Sequence, residues 1–453
     1  MIKNLTTDHR PLTTILIVAG EASGDAHAAR LVAALRERLP AARFLGIGGE
    51  ALAEQGVGLL VHASELAVVG LLEVAGRLPA VGRALAALHR AFKKERPALV
   101  ILVDFPDFNF WVARLAKWHG VPVMYYISPQ VWAWRSYRVR TIARLVDRMA
   151  VIFPFEAEFY RRRGVPVDFV GHPFQETLPD LPPRKELLRG WGLDPRRLTL
   201  ALLPGSRAGE IERHLPTMLA GAELIQKALP EVQYILPLAS TASFAGVAAL
   251  AEEAGFRAVP EDKFCPGGTP APPGTFSTLS IDPTKSHPNE AKEEPGSSPP
   301  SSRPVVQASR VCPAEKIHNA IRIIPGQAYA ALFAADLAVV ASGTATVEAA
   351  LAGCPAIIVY RLSPLTFALG KRLIRVDYIG MANLLAQEPL FPELIQNDFT
   401  PARLAREALD LIRTPARLKV MRQGLSRVVT RLGGPGASAR AAEVALRVMQ
   451  GRK

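Results

Sequence analysis

Cysteine is scarce in this chain, which contains three cysteines among its 453 residues. Three are too few for a disulfide framework or a cysteine-rich metal cluster, so we expect a protein of a reducing compartment, the cytoplasm. Long hydrophobic runs are also absent, because no stretch reaches the roughly 18 apolar residues that span a bilayer. The apolar run at residues 14–19 is shorter than the roughly 7–15 residues of a signal-peptide core. Any membrane contact is therefore expected to be peripheral.

Acidic residues are outnumbered by basic ones. The chain has 41 Asp and Glu residues against 54 Lys and Arg residues, which gives a formal net charge of +13. Such a surplus favours an anionic partner, which can be a phosphate-bearing substrate, a nucleic acid or an acidic membrane surface. The length exceeds what one core supports, so two domains of roughly 150–200 residues are expected.

Short apolar runs alternate with helical patterns along most of the chain. The runs are continuously apolar, which is typical of strands in a parallel sheet covered on both faces. The helical stretches between them indicate βαβ units, so the sequence predicts an α/β protein with two doubly wound parallel sheets. The predicted strands are residues 14–19, 43–48, 98–103, 123–128, 149–153 and 167–171 in the first half, and 198–205, 234–239, 321–326, 337–342 and 356–360 in the second.

Proline-rich segments interrupt this alternation twice. Residues 173–183 break the pattern and are predicted to link the two domains. Residues 261–315 hold eleven prolines in 55 positions, with many serines and few large apolar side chains. We expect a disordered insertion there, with Cys265 and Cys312 as free thiols. The predicted domains are residues 1–175, residues 176–400 with the insertion, and a helical segment at residues 401–453.

The turn after the first predicted strand carries polar side chains. Ligands in open parallel sheets bind at the carboxyl ends of strands, over helix N-termini. In this position Glu21 and Ser23 are predicted to contact a sugar or a phosphate. An equal alternative is an ordinary turn in which Ser23 or Asp25 caps the following helix.

The string "LVDFPDFN" follows the predicted strand at residues 98–103. Asp104 ends that strand, where an acid is well placed to be the general base for a hydroxyl group. Asn109 lies just beyond it, and capping of the next helix is the alternative for the acids of this string. The string lacks the D-x-D spacing that holds a divalent metal in many sugar-nucleotide enzymes, which favours a metal-independent site.

The string "SPQVWAWR" continues into a stretch that mixes aromatic and arginine side chains. Aromatic and guanidinium groups suit a sugar face and phosphate oxygens, so Gln130, Trp132 and Arg135 are predicted to contact substrate. The alternative is a core-packed tryptophan pair beside a solvated basic helix. No nucleic-acid-binding module accompanies these residues, so no nucleic-acid partner is expected.

Two further strand-to-helix turns lie in the second half. Gly205, Ser206 and Arg207 form the first, where free N–H groups and a guanidinium suit an anion; the spacing is not that of a P-loop. Ser342, Gly343 and Thr344 form the second, which is suited to a diphosphate. Glu348 lies one turn further in, where its carboxylate would accept the hydroxyl groups of a ribose. For Glu348, and for Glu210 and Glu212 behind the first turn, the alternative is an acid that complements a helix dipole.

Two weaker patterns remain. Gly46, Gly48 and Ala51 fit G-x-G-x-x-A after a strand, which would indicate a nicotinamide-dependent oxidoreductase. Residues 66–97 form an amphipathic stretch with basic residues opposite its apolar face. Such a stretch can lie in a membrane interface, and an ordinary packing helix is an equal alternative.

The motifs together resemble the lipid-A-disaccharide synthase family, in family order from the first strand to the C-terminal helices. The resemblance implies the GT-B fold, in which two Rossmann-like domains face a cleft, the C-terminal one binds the donor nucleotide, and a last helix crosses back. The strings that carry it are "AGEASGD", "ELAVVGLLEV", "VDFPDFN", "SPQVWAWR", "FPFE", "VGHP", "LPGSR", "ASGTATVEAAL", "RLSPLTFALGKRLIRVDYIGMANLLA", "PELIQNDFTP" and "LGGPGASARAAEVAL".

The resemblance also implies an activity in lipid A biosynthesis. The family transfers 2,3-diacylglucosamine from its UDP donor to the 6-hydroxyl of 2,3-diacylglucosamine 1-phosphate (lipid X), without a cofactor. Asp104 resembles the family's essential acid, Arg207 its donor-phosphate arginine and Glu348 its ribose-binding acid, while Asn383 matches the asparagine of "NLLA" that serves the site. A peripheral position on the cytoplasmic face of the inner membrane is implied, with a homodimer left open. The alternatives are a UDP-sugar transferase or epimerase with another acceptor, and a non-catalytic basic module.

Overall fold

The computed structural model describes residues 13–66, 78–133, 136–239, 242–260, 319–362 and 377–451. The predicted insertion at residues 261–315 and the first part of the predicted amphipathic stretch, residues 67–77, lie outside the described residues. Among the described helices, none combines the length and the apolar character that crossing a membrane requires.

The described strands form two parallel sheets of seven strands each. The first sheet contains β1 (Thr14–Ala19), β2 (Arg43–Gly48), β3 (Gly58–His62), β4 (Leu99–Val103), β5 (Val123–Tyr126), β6 (Arg148–Val151) and β7 (Val167–Phe169). The second contains β8 (Thr199–Leu203), β9 (Gln233–Leu238), β10 (Arg257–Pro260), β11 (Ala320–Pro325), β12 (Leu337–Ala341), β13 (Ala356–Tyr360) and β14 (Glu393–Ile395).

Helices connect these strands and cover the sheets. They are α1 (Ala22–Arg38), α2 (Glu50–Glu54), α3 (Leu78–Glu95), α4 (Pro106–Trp118), α5 (Val139–Leu145), α6 (Pro154–Arg161), α7 (Arg184–Gly190), α8 (Ala208–Ala228), α9 (Phe244–Glu253), α10 (Ala328–Ala334), α11 (Ala345–Leu351), α12 (Met381–Ala386), α13 (Pro401–Arg413), α14 (Pro415–Arg431) and α15 (Ala437–Gln450). Every residue of β1, β4, β8 and β12 is buried, as expected for central strands with helices on both faces. The predicted α/β class with two parallel sheets is confirmed.

The strand order creates one switch point in each sheet. The first sheet has the order β3-β2-β1-β4-β5-β6-β7, and the second has β10-β11-β9-β8-β12-β13-β14. The chain therefore winds in opposite directions from β1 and β4, and likewise from β8 and β12. Ligands in open α/β sheets bind at such points, outside the carboxyl ends of the strands.

The last helix packs against the sheet that comes first in sequence. Helices α13 and α14 pack on α8 and α11 of the second half, whereas α15 contacts α1, β4, β5 and β6. Hydrogen bonds fix the crossing: the N–H of His172 donates to Leu432, and the Ser438 N–H and hydroxyl donate to the Glu176 carboxylate at 2.8 and 2.5 Å. The chain thus leaves the first half before β8 and returns to it at α15.

Candidate active site

Asp104 follows β4 in a sharp turn that leads into α4. Asp104 and Phe105 both have a φ of 45°, a left-handed conformation that is strained for residues with a side chain. The Asp104 carbonyl oxygen accepts hydrogen bonds from the Asn109 Nδ2 group at 2.7 Å and from the Tyr125 hydroxyl at 2.5 Å. These bonds stabilise the turn that carries the Asp104 carboxylate.

The turn after β1 contacts the turn after β4, because the two strands are neighbours at the switch point. A Cβ atom on Gly20 would lie 2.2 Å from the ring of Phe105. Glycine is therefore required here for the close approach of the two turns. The approach also brings Glu21, which follows Gly20, close enough for its charge to act on Asp104.

Opposing influences act on the Asp104 carboxyl group. Burial, the largest, and the nearby Glu21 carboxylate raise the pKa of Asp104 to about 6. A hydrogen bond from the Phe105 N–H and the positive charge of Arg207 act in the opposite direction. Arg207 follows β8, so this interaction joins the switch points of the two sheets. Asp104 is ionised at neutral pH and titrates close to it, which suits a general base.

Asn109 and Ser23, both predicted to contact substrate, are placed differently. Asn109 is fully buried, and its Nδ2 group donates to the carbonyl oxygens of Val103 and Asp104. Asn109 supports the turn beneath Asp104, because its amino group donates to the main chain, and its contact with substrate stays a prediction. Ser23 is exposed in the first turn of α1, at the carboxyl edge of the first sheet.

The G-x-G-x-x-A pattern does not form a dinucleotide site, because Gly46 and Gly48 lie within β2 instead of in a turn after it. The Asp25 carboxylate accepts hydrogen bonds from the N–H groups of Gly49 at 2.6 Å and Ala51 at 2.9 Å. A pyrophosphate would need these same N–H groups at the start of α2. The nicotinamide interpretation is therefore wrong, and so is the expectation that Asp25 caps α1.

The segment "SPQVWAWR" follows β5, and its Arg135 lies outside the described residues. Gln130 is exposed and Trp132 is partly buried. The Trp132 indole N–H donates to Glu156 at 3.1 Å, and the ring meets Phe155 edge-on at 4.8 Å between centroids. Glu156 was not predicted as a site residue, although a signal for it was present. Its "FPFE" motif comes just after β6 and therefore lies at the carboxyl end of a strand, as the other motifs do.

Gly205, Ser206 and Arg207 form the turn between β8 and α8, but its amide groups are engaged within the protein. The Glu210 carboxylate accepts from the N–H groups of Ser206 at 3.2 Å and Arg207 at 3.4 Å. This contradicts the prediction that these N–H groups are free for a diphosphate, and it supports the alternative in which Glu210 complements the helix N-terminus. The Arg207 guanidinium is exposed on this turn and lies 3.5 Å from Glu210.

The turn after β12 lies beside the turn after β8, because these strands are paired. The N–H groups of Gly343 and Thr344 donate to no other described residue, while the Ser342 hydroxyl donates to the Ile379 carbonyl oxygen at 3.0 Å. Burial raises the pKa of Glu348, and within the described part of the chain no donor reaches its carboxylate. Such a group needs hydrogen bonds from a ligand or from water.

Asn383 is fully buried and its side chain is used by the fold. Its Nδ2 group donates to the Phe391 carbonyl oxygen and to Glu393, both at 2.8 Å, and its Oδ1 atom accepts from the Phe391 N–H. Glu393, which sequence reasoning missed, also accepts from the N–H groups of Ile379 and Gly380. Asn383 therefore stabilises the loop that holds Ser342, and its contact with a substrate stays a prediction.

His214 on α8 is another residue that the sequence did not single out. Its Nδ1 group donates to the Pro204 carbonyl oxygen at 2.8 Å, and its Nε2 atom accepts from the Arg361 N–H at 3.0 Å. Burial lowers the pKa of His214, so the neutral ring connects the ends of β8 and β13. A lone histidine inside a helical pattern carries no sequence signal for this role.

Similarity to other sequences extends over nearly the whole chain. A family model described as lipid-A-disaccharide synthetase matches residues 15–254 and 305–448, and the gap between them overlaps the predicted insertion. The lipid-A-disaccharide synthase of Syntrophus aciditrophicus (strain SB) is 42% identical over 96% of this chain and 98% of its own length. That of Geobacter sulfurreducens is 41% identical over 98% of each chain.

Solved structures share the arrangement of two sheets. The UDP-GlcNAc 2-epimerase from Neisseria meningitidis bound to UDP-GlcNAc matches with a TM-score of 0.60 at 11% identity, covering 96% of this chain and 100% of that one. The calicheamicin glycosyltransferase CalG4 matches with a TM-score of 0.53 at 15% identity, covering 97% and 99%. At these identities the similarity shows the fold alone.

Proposed function

The chain belongs to the lipid-A-disaccharide synthetase family and is a glycosyltransferase with the GT-B fold, and from this premise we propose its reaction. It transfers 2,3-diacylglucosamine from the UDP derivative to the 6-hydroxyl of 2,3-diacylglucosamine 1-phosphate. The products are the β-1,6-linked lipid A disaccharide 1-phosphate and UDP.

Asp104 acts on the acceptor in this proposal. Its carboxylate accepts the proton of the 6-hydroxyl while the hydroxyl oxygen attacks the anomeric carbon of the donor from the face opposite to UDP. The new glycosidic bond forms as the bond from the anomeric carbon to the phosphate oxygen breaks, which inverts the configuration. Because its pKa is about 6, Asp104 is ready to accept a proton at neutral pH.

The second sheet holds the donor. The Arg207 guanidinium and the N–H groups of Gly343 and Thr344 neutralise the charge that develops on the departing diphosphate, so that no metal ion is required. We assign the diphosphate to these groups because Glu210 occupies the N–H groups of Ser206 and Arg207. The unpaired carboxylate of Glu348 accepts hydrogen bonds from the ribose hydroxyl groups.

The main support for this proposal is that Asp104 and Arg207 follow β4 and β8 at the switch points of the two sheets, where the Arg207 charge acts on Asp104. An inverting transfer needs a base on the acceptor side and positive charge on the leaving-group side of one reacting centre. Here an acid from the first sheet and a guanidinium from the second come within range of each other. If the two sheets carried two unrelated binding sites, Asp104 and Arg207 would not need to lie near each other.

We also infer that the protein docks on the cytoplasmic face of the inner membrane, where acylated substrates reside. Residues 71 and 72, which lie near the start of the predicted docking stretch at residues 66–97, are outside the described residues. Next to α3, helix α4 exposes Trp111 by 57% and Trp118 by 73%, with Arg114 placed over the Trp111 ring at 5.1 Å. We call Trp111, Arg114 and Trp118 the aromatic-basic face of α4, and tryptophan beside basic residues suits the headgroup region of an anionic bilayer.

Released UDP and product mass test the proposed reaction. Purified protein and the two acylated glucosamine substrates should yield UDP and the disaccharide 1-phosphate, with an unchanged rate in EDTA. Asp104→Asn should lower kcat by about 100-fold or more, the usual contribution of a general base. Conversion of the donor without the disaccharide 1-phosphate as a product, or loss of activity in EDTA, would contradict the proposal.

A further inference from the structure

Glu156 is a buried acid that the proposed mechanism does not use. It lies in the first turn of α6, after β6, and the residue is only 1% exposed. Its Oε2 atom accepts from the Phe153 N–H at 3.2 Å, which satisfies the N-cap N–H at the start of the helix. Its Oε1 atom accepts from the Trp132 indole N–H at 3.1 Å. The two oxygens therefore serve two different elements.

Satisfying the N-terminus of the helix needs only the first of these bonds. The second bond connects α6 to the segment after β5 and fixes the indole by its N–H edge. Phe155 meets the same indole edge-on at 4.8 Å, and Phe153 stacks on Phe155 at 5.5 Å between centroids. Trp132 is thus held by two residues of a single turn, one polar and one aromatic.

The charge of Asp104 reaches Glu156 as well. Burial, the largest cause, and the Asp104 carboxylate raise the pKa of Glu156 to about 8, although hydrogen bonds from Phe153, Trp132 and Ile152 lower it. The three hydrogen bonds favour the ionised form of Glu156, in which both carboxylate oxygens accept from N–H donors, whereas burial and the Asp104 charge disfavour it.

We propose that Glu156 is a positioning residue for acceptor binding, because it fixes the Trp132 indole against Phe155 at the acceptor side of the cleft. The proposal rests on the proposed function, in which Asp104 of the first sheet acts on 2,3-diacylglucosamine 1-phosphate, and on the prediction that Trp132 contacts substrate. The flat apolar face of an indole can pack on a sugar ring only if the indole keeps one orientation. The bond from Glu156 supplies that constraint.

The test uses the difference between a carboxyl and a carboxamide group. In Glu156→Gln, one carbonyl oxygen remains for the backbone donors of the turn and for Trp132, so the amide NH2 group opposes one of these donors. In Trp132→Phe the indole N–H is absent. In that background the NH2 group introduced by Glu156→Gln has no indole donor to oppose. Steady-state rates are measured for the wild type, the two single variants and the double variant, with acceptor and donor varied separately. Glu158→Gln is the matched control, because Glu158 is exposed on the same helix and pairs with Arg162.

We expect Glu156→Gln to raise the KM for the acceptor by about tenfold, the size expected when a buried donor loses its partner. The KM for the UDP donor should stay within about twofold, and in the Trp132→Phe background the same substitution should change the acceptor KM by less than about twofold. Effects that multiply in the double variant, or an equal rise in both KM values, would overturn the proposal.

Failure of the proposed function would look different. Wild-type protein would then release no UDP from the two substrates. The melting temperatures of the four proteins would still show whether Glu156 and Trp132 are coupled, because that measurement needs no turnover. Additive changes in melting temperature would show that no such bond links the two side chains, and the positioning role would be rejected.

Discussion

Asp104 is influenced by two residues of opposite charge, and each can be removed separately. A base works only when it is ionised, so kcat/KM for the donor should fall as the pH drops through the pKa of Asp104, about 6. Glu21→Gln removes a negative neighbour and lowers the pKa of Asp104, so the acidic limb should move to lower pH. Arg207→Gln removes a positive neighbour, and the limb should move to higher pH. Each shift is expected to be about half a pH unit.

The control for this pair is Glu37→Gln. Glu37 lies near the C-terminal end of α1, whereas Glu21 directly precedes that helix. The Glu37 side chain is 79% exposed, and its charge is not among those that act on Asp104. Its pH profile should match that of the wild type. Movement of the limb in the same direction in Glu21→Gln and Arg207→Gln would show that Asp104 is not the titrating base.

Position near a strand end indicated candidate residues, whereas the partners of their side chains could not be predicted from the sequence. Asp104 and Arg207 lie within two residues of the ends of predicted strands, and Glu348 lies in the first turn of the helix after one, which is why the sequence could nominate them. The partners of Asn109, Asn383 and Glu210 depend on backbone groups that only the folded turns bring within reach. Their type and position are the same whether they bind a ligand or cap a turn.

The central strands were predictable because burial on both faces leaves continuous apolar runs. The eleven predicted strands match observed ones to within two residues at either end. Three strands were missed: β3, β10 and β14. All lie at or next to a sheet edge, where fewer contacts are made; β10 includes Pro260, and β14 has only three residues. At edges, pairing with a neighbour decides the structure more than local sequence does.

The contact between the turn after β1 and the turn after β4 gives a prediction for these two elements. In Gly20→Ala the new methyl group would lie 2.2 Å from the Phe105 ring, so the ring or the strained turn must move. Asp104 would be displaced with it, and we expect kcat to fall by about 10- to 100-fold. Steady-state kinetics and a melting curve measure the two effects separately.

Gly24→Ala is the matched control for this substitution. Gly24 lies four residues further on in α1, and the nearest atom to its new methyl group would be 3.8 Å away, an ordinary contact. Its kcat should remain close to that of the wild type. Equal loss of kcat in the two variants would show that the closeness of Gly20 to Phe105 does not set the geometry of Asp104.

In the whole molecule, the switch point of the first sheet lies near the switch point of the second, so that the charge of Arg207 acts on Asp104. Strand alternation in the sequence predicts the two sheets, but it does not say that Asp104 and Arg207 approach each other. That approach depends on the crossing of the chain and on the packing of α15 on the first sheet. The resemblance to a known family supplied this arrangement as an expectation, and the periodicity of the apolar residues could not.

Membrane docking involves the outer surface of the whole molecule, and it can be tested at the aromatic-basic face of α4. Replacing both tryptophans, in Trp111→Ser with Trp118→Ser, removes the two side chains that would enter the headgroup region. We expect binding to anionic vesicles in a sedimentation assay to fall by about tenfold or more, since each buried indole contributes more than about 1 kcal/mol. Binding of the wild type should weaken as salt is added, because the charge of Arg114 is then screened.

Activity separates docking from catalysis in these variants. The double variant should show a raised KM when the acylated substrates are presented in vesicles, and an unchanged kcat when they are dispersed in detergent. Val420→Ser is the control, because Val420 is 62% exposed on α14 and belongs to the second half. If the double variant sediments with anionic vesicles as the wild type does, α4 is not the docking face, and the segment at residues 67–77 must be tested in its place.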